Sequence, residues 1–150
     1  PLILGPNPPG NLGKLIASIQ SGKHIYLKGN EARKSIVFAS DVASFISNWL
    51  KNDEKKSGTI NLTCGEAPTF NWIEKMIRHY TGVKFFFTFP VGLVWKITVA
   101  IKQHLGISIP ILGKIFYPLT FSDQLARTKF NYQSKELNQT TFINELNSNH

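Results

Sequence analysis

PLILGPNPPGNLGKLIASI (residues 1–19) is the stretch from which the rest of the chain is read. Leu2, Ile3 and Leu4 form an apolar run of strand length, and Gly5-Pro6 turns the chain. Asn11 then stands as a helix N-cap ahead of Leu12, Leu15, Ile16 and Ile19, at the i, i+3, i+4, i+7 spacing of an amphipathic helix that Gly22 stops. The turn invites comparison with phosphate loops, because Gly5 and Gly10 have the G-x-x-x-x-G spacing of a Walker A motif. That motif continues with Lys and Ser or Thr, where this chain has Asn11 and Leu12; Lys14 comes too late and has no hydroxyl after it. Pro6, Pro8 and Pro9 also remove backbone donors that a phosphate cradle needs. The turn is a connector between strand and helix.

Working outward, the alternation of strand and helix continues. Ile25, Tyr26 and Leu27 read as a strand ended by Gly29-Asn30, and residues 36–39 as another. Asp41 reads as the cap of a helix facing inward with Val42, Phe45, Ile46, Trp49 and Leu50. Residues 51–58 are a solvated loop and residues 59–63 a strand. A helix from Asn71, with Glu74 at the capping-box position, presents Trp72, Ile73, Met76, Ile77 and Tyr80 before Gly82. Residues 83–89 form a strand closed by Pro90. The next helix, residues 93–105, turns Leu93, Ile97, Ala100, Ile101 and Leu105 inward. Residues 106–118 are irregular, and two short helices follow at 122–129 and 140–146. The expected class is α/β, with helices packed on short parallel or mixed strands.

The 150 residues, 42% apolar and 17% charged, suit one globular domain. A lone cysteine, Cys64, excludes an internal disulfide framework and fits a reducing compartment; with no leader visible, the expected location is cytoplasmic. The apolar region 85–119 is broken by Lys96, Lys102, Gln103, His104 and Lys114, so it gives no membrane span; the alternative it leaves is a helix lying on a membrane surface. The net charge of +8 comes from seventeen Lys and Arg scattered along the chain, clustered only at Arg33-Lys34 and in residues 51–56. Scattered charge reads as solvated helix faces and lacks the basic stripe with interleaved aromatics of a nucleic-acid binder. An anionic small molecule needs only one or two of these charges. The chain opens in mid-strand at Pro1, which reads as a piece of a longer polypeptide.

No residue set supports catalysis. Tyr80 and Lys84 have the Tyr-x-x-x-Lys spacing of short-chain dehydrogenases, but Gly82 lies between them and Lys84 opens a β-type run, so they do not share a helical face. The four histidines, at 24, 79, 104 and 150, are far apart, and Cys64 has no second ligand, so no metal is expected. Cys64 reads as a buried strand-end residue and Asp41 as a cap; Glu66 and Asp123, both loop-borne, could touch a ligand. No G-x-G-x-x-G follows a strand, so no dinucleotide fingerprint is present.

Taken in order, residues 1–27, ARKSIVFASDVASFISNWL (32–50), TINLTCGEAPTFNWIEKMI (59–77) and LTFSDQLARTKFNYQ (119–133) resemble the C-terminal half of extended short-chain dehydrogenases/reductases. These are the NAD-dependent epimerases and dehydratases of nucleotide sugars, such as UDP-glucose 4-epimerases. The family's strand with a Gly-Pro turn and an Asn-Leu helix start falls on Gly5-Pro6 and Asn11-Leu12. Its Arg before a "(S/D)-F-V" strand falls on Lys34, and its short helix ending at Leu-Gly-Trp falls on Phe130-Asn131-Tyr132. The resemblance implies one C-terminal substrate-binding domain over residues 1–150, carrying the last strands of a Rossmann-like sheet. The N-terminal half, absent here, would bind NAD or NADP and supply the catalytic residues; this fragment would bind no cofactor and turn nothing over. A nucleotide sugar, expected to be a UDP-sugar, would meet Asn11 and Leu12 at the helix start, Lys34 with Arg33 in support, and a pocket near Phe38, the 106–121 segment and Asp123. Lys34 keeps the charge of the family's Arg but loses its bidentate fork. The implied partners are the missing half, the nucleotide sugar and a second copy in a homodimer. The competing reading is a stand-alone α/β module that binds small anions or nucleic acid.

Overall fold

A computed structural model describes residues 1–51, 57–84, 87–105 and 115–148, with backbone alone for 101, 102, 104 and 105. In chain order the elements are β1 (Leu2–Leu4), α1 (Gly10–Gln20), β2 (Ile25–Lys28), β3 (Ile36–Phe38) and α2 (Ala39–Leu50). They continue with α3 (Phe70–Thr81), β4 (Phe87–Pro90), α4 (Val91–Leu105), α5 (Gln124–Phe130) and α6 (Gln139–Asn147). The class is α/β, as expected. The single domain read from length resolves into two compact units. The first holds Pro1–Lys14, Lys34–Pro68 and Leu119–His150; the second holds Leu15–Arg33 and Thr69–Pro118.

In the first unit β1 and β3 pair in parallel, Leu2 opposite Ile36 and Leu4 opposite Phe38. All three residues of β3 are buried, the pattern of a strand covered on both faces. Helix α2 packs on β3 and α6 on β1. The core gathers Leu4, Leu12, Val37, Phe38, Ala126, Phe142 and Leu146. In the second unit β2 and β4 pair in parallel, Ile25 opposite Phe87 and Leu27 opposite Phe89. Helix α3 packs on β2 and α4 on β4. The apolar stripe of α3 (Ile73, Met76, Ile77) is buried, together with Ile16, Ile19 and Leu27.

Several local expectations are corrected. Helix α1 starts at Gly10, whose φ of +68° holds the entry turn, so Asn11 lies in the first helical turn instead of capping it. Gly13 is required for a different reason: a Cβ there would lie 2.2 Å from the Pro8 carbonyl oxygen. Helix α3 is capped by Thr69, whose Oγ1 accepts from the Trp72 N–H at 3.2 Å, and not by Asn71. Helix α2 follows β3 with no residue between, which places Asp41 in the first turn instead of at the cap. Residues 59–63 form no strand; Cys64 N–H donates to Ile36 O at 2.8 Å and Lys34 N–H to Pro68 O at 3.0 Å, which ties residues 64–68 beside the start of β3. Helix α5 ends on Asn131 at φ 52°, so an Asn takes the left-handed position where the family's pattern has Gly.

The largest correction concerns faces. Leu93, Ile97 and Ala100 of α4, expected inside, are exposed, while Val94, Thr98 and Val99 are half-buried. Ile101 and Leu105 lie outside the described side chains. In α2, likewise, Ile46 and Leu50 are exposed and Asp41 is buried. Both helices are apolar on more than one side, so periodicity cannot choose which side turns inward.

Candidate functional site

The centre of the first unit is the extended segment Lys34-Ser35-Ile36, joined to three others. Leu2 N–H donates to Ser35 O at 2.7 Å, and Ser35 N–H donates to Leu119 O at 3.0 Å. Ser35 Oγ accepts from the Phe121 N–H at 2.9 Å. Lys34 is thereby enclosed, at 5% exposure, and burial pulls the pKa of its ammonium down. Lys34 is therefore not a solvated surface lysine. Its neighbour Arg33 is exposed and bridges backbone to backbone with Thr69 within the second unit.

Of the six residues singled out from sequence, Asn11, Leu12, Lys34, Phe38 and Asp123 fall in the first unit and Arg33 in the second. Asn11 is exposed, and its side chain makes no hydrogen bond among the described residues. Leu12 and Phe38 are core residues with essentially no exposure, so neither side chain can touch a ligand in this structure. Phe38 instead lies under Lys135, whose Nζ is 5.8 Å from the ring centroid. Asp123 is occupied by Arg127, with Nε to Oδ2 at 3.0 Å and Nη2 to Oδ2 at 2.8 Å. Burial raises the Asp123 pKa, but hydrogen bonds from Arg127 and Thr63 outweigh it and leave the carboxyl below its ordinary value. Its role here is to brace α5. Residues 106–114 of the suggested pocket segment lie outside the described residues.

Two polar clusters in the first unit were missed in the sequence. In one, Glu145 accepts from Ser40 N–H at 2.9 Å, Ser40 Oγ at 2.8 Å and Lys135 Nζ at 3.1 Å, while Asp41 Oδ2 accepts from the Lys135 N–H at 2.9 Å. In the other, Arg127 donates to Ser134 Oγ at 2.8 Å and lies 5.7 Å from the Tyr132 ring centroid. These partners are about a hundred residues apart or share no periodicity, so no local signal announces them. In the second unit the fully buried Glu74 pairs with His24 Nε2 at 2.5 Å, and burial raises its pKa.

Among the described residues no catalytic set is brought together. Tyr80 lies in α3 and Lys84 beyond it, separated by Gly82 in the left-handed conformation, so they do not act as a helical pair. Cys64 donates to Ile36 O at 3.1 Å, and burial pushes its pKa up to about 11, leaving it a thiol at neutral pH. Among the described residues no three metal-ligating side chains cluster, and no helix is long and apolar enough to cross a membrane. The three described βα junctions do not fit a nicotinamide dinucleotide either. The turn after β1 carries three prolines, and β3 and β4 run straight into α2 and α4 without a loop to cradle a diphosphate.

No family model matches the chain. Over 95 residues it is 30% identical to a GDP-L-colitose synthase of Yersinia pseudotuberculosis, an alignment covering 59% of this chain and 31% of that protein. The chain thus spans less than a third of the curated relative it matches. Among solved structures it is similar to a UDP-glucose 4-epimerase of Thermotoga maritima with UDP-glucose, at a TM-score of 0.61 and 15% identity, covering 97% of this chain and 42% of that one. It is also similar to a Bordetella bronchiseptica enzyme in complex with NAD and UDP, at a TM-score of 0.61 and 12% identity, covering 97% and 41%. A UDP-N-acetylglucosamine 4-epimerase of Bacillus cereus gives a TM-score of 0.60 at 16% identity, covering 96% and 42%. In sequence over part of its length and in fold over nearly all of it, the chain resembles part of an enzyme of the nucleotide-sugar epimerase and dehydratase family of extended short-chain dehydrogenases/reductases.

Proposed function

We propose that this chain is the substrate-binding portion of an NAD-dependent nucleotide-sugar epimerase, dehydratase or 4-keto reductase. It holds the nucleotide diphosphate of a UDP-sugar and works in the cytoplasm. The cofactor, NAD or NADP, and the hydride chemistry belong to the remainder of the enzyme, a reading supported by the lack of a dinucleotide cradle at the described βα junctions. The observation that carries the reading is Lys34, a lysine at 5% exposure at the position where the family's pattern has its diphosphate-pairing Arg. Asn11, exposed in the first turn of α1, adds a neutral amide near the positive end of a helix dipole. Leu12 and Phe38 serve as core residues of the same unit, and Asp123 by holding Arg127.

Isothermal titration of UDP and UDP-glucose into the chain tests the reading. Binding is expected, weakened by about tenfold or more in Lys34→Gln, because a hydrogen bond to a charged group is worth roughly 1.5–3 kcal/mol. Lys34→Arg, which restores the fork, is expected to retain or improve affinity. Unchanged affinity in a folded Lys34→Gln protein would overturn the assignment. The chain by itself is expected to show no epimerisation.

A further inference from the structure

The scattered charge of the sequence is sorted in space. The second unit carries nine Lys and Arg (23, 28, 33, 75, 78, 84, 96, 102 and 114) against Glu31 and Glu74, a formal +7 of the chain's +8. Glu74 is fully buried against His24, which leaves Glu31 as the unit's exposed carboxylate. From Lys75 to Ser122 the sequence contains no acidic residue at all. The same unit displays its apolar side chains. Phe87 and Phe89 of β4 are 56% and 42% exposed, and Ile25, paired opposite Phe87, is 51% exposed. Leu93 and Ile97 of α4 are 49% and 51% exposed, one turn apart, with exposed Lys96 between them. Trp95, 43% exposed, is held edge-on by Phe116 at 5.5 Å and Tyr117 at 6.3 Å between ring centroids.

We infer that the exposed side of α4 carrying Leu93, Lys96 and Ile97 docks this unit on an anionic lipid surface. Exposed Leu and Ile entering the headgroup boundary, with a lysine beside them in a unit of high positive charge, are what a surface-lying helix needs. With 15 residues, α4 is about 22 Å long, too short to span a bilayer core of about 30 Å, so it lies on the membrane. Charge decides against a second copy as the occupant, because two faces each nearly free of carboxylates would repel. Side-chain chemistry decides against nucleic acid, because bases stack on aromatic rings, whereas the exposed apolar residues on this side of α4, Leu93 and Ile97, are aliphatic.

The test is flotation of the chain with vesicles of phosphatidylcholine alone or with one third phosphatidylglycerol, at low and high salt. Retention on the phosphatidylglycerol vesicles is expected, at least about tenfold weaker on phosphatidylcholine and at high salt. Lys84→Gln and Lys96→Gln should each weaken it by about fivefold, and Leu93→Ser with Ile97→Ser by more than tenfold. Circular dichroism establishes that each variant is folded. Three results would overturn the proposal: no retention on anionic vesicles, retention insensitive to the serine pair, or a dimer in sedimentation equilibrium that the serine pair dissociates.

Discussion

Glu145→Gln probes the joint between α2, α6 and the segment around Lys135. Glu145 is 4% exposed and accepts two bonds from Ser40 and one from Lys135 Nζ. Burial raises its pKa, but the Ser40 backbone and side-chain bonds, then Lys135, outweigh it and hold the carboxyl below its ordinary value. Glutamine keeps an acceptor for the Ser40 N–H and places an amide NH2 where the second oxygen stood. The Ser40 hydroxyl can reverse to accept from that amide, whereas Lys135 cannot. Lys135 is half exposed, so its lost ion pair is worth about 0.5–1 kcal/mol. Losing the charge on the bonds to Ser40 adds roughly as much again, for a total of about 1–2 kcal/mol at pH 7. The sign with pH follows from the depressed folded value. The stabilisation is present above the unfolded carboxyl pKa of about 4.3 and disappears as pH falls through the folded one. Urea unfolding of the two proteins, followed by circular dichroism at pH 7 and pH 3, measures both arms. A deficit that persists undiminished at pH 3, or none at pH 7, would refute the charge-based account.

Three further outcomes are expected. Tyr132→Phe should stabilise by about 0.5–1 kcal/mol, because the Tyr132 hydroxyl is buried without a hydrogen-bond partner among the described residues while its ring keeps the edge contact to Phe45 at 5.6 Å; a loss of stability in urea unfolding would mean that the hydroxyl is satisfied. Asn131→Gly should be neutral or stabilising and Asn131→Ala should cost about 1 kcal/mol, since φ at 52° penalises a Cβ; equal effects in thermal melts would remove that explanation. Gly13→Ala should cost about 2–3 kcal/mol, because the new Cβ would force the Pro8 carbonyl away from α1; a neutral result would show that the entry turn yields freely.

What could be read in the sequence follows from how one-sided each element is. The stripes of α1 and α3 were legible because polar residues fill most of their other sides: Leu12, Ile16, Ile19, Ile73, Met76 and Ile77 are buried as read, while Leu15, Trp72 and Tyr80 are half-buried. Helix α4 was legible as a helix but not by face, since Leu93, Val94, Trp95, Ile97 and Val99 surround the axis. Glu74 sat at a plausible capping position, yet its actual partner, His24, is fifty residues away in sequence and no local rule reaches that far. Lys34 and Arg33 formed one basic pair in the sequence. In extended backbone successive side chains point to opposite sides, so one neighbour is enclosed and the other solvated. Which of the two is enclosed depends on the segments at Leu2, Pro68 and Leu119, and so on the tertiary fold.

Both units expose apolar surface, but their charges assign it to different partners. The first unit shows Ile3 on β1, Ile46 and Leu50 on α2, and Leu125 on α5, on a unit whose eight Lys and Arg nearly balance seven Asp and Glu. A near-neutral apolar surface can be buried against protein at little electrostatic cost, which suits the proposed cofactor-binding half as its cover. The second unit shows a comparable set of apolar side chains at a formal +7. Burying that surface against an ordinary protein face would strand its lysines, whereas an anionic headgroup layer solvates them while the aliphatic side chains enter below. On this argument the two exposed surfaces are not interchangeable remnants of one missing interface. Restoring the cofactor-binding half should cover Ile46 and Leu50 and leave Leu93 and Ile97 as accessible as before.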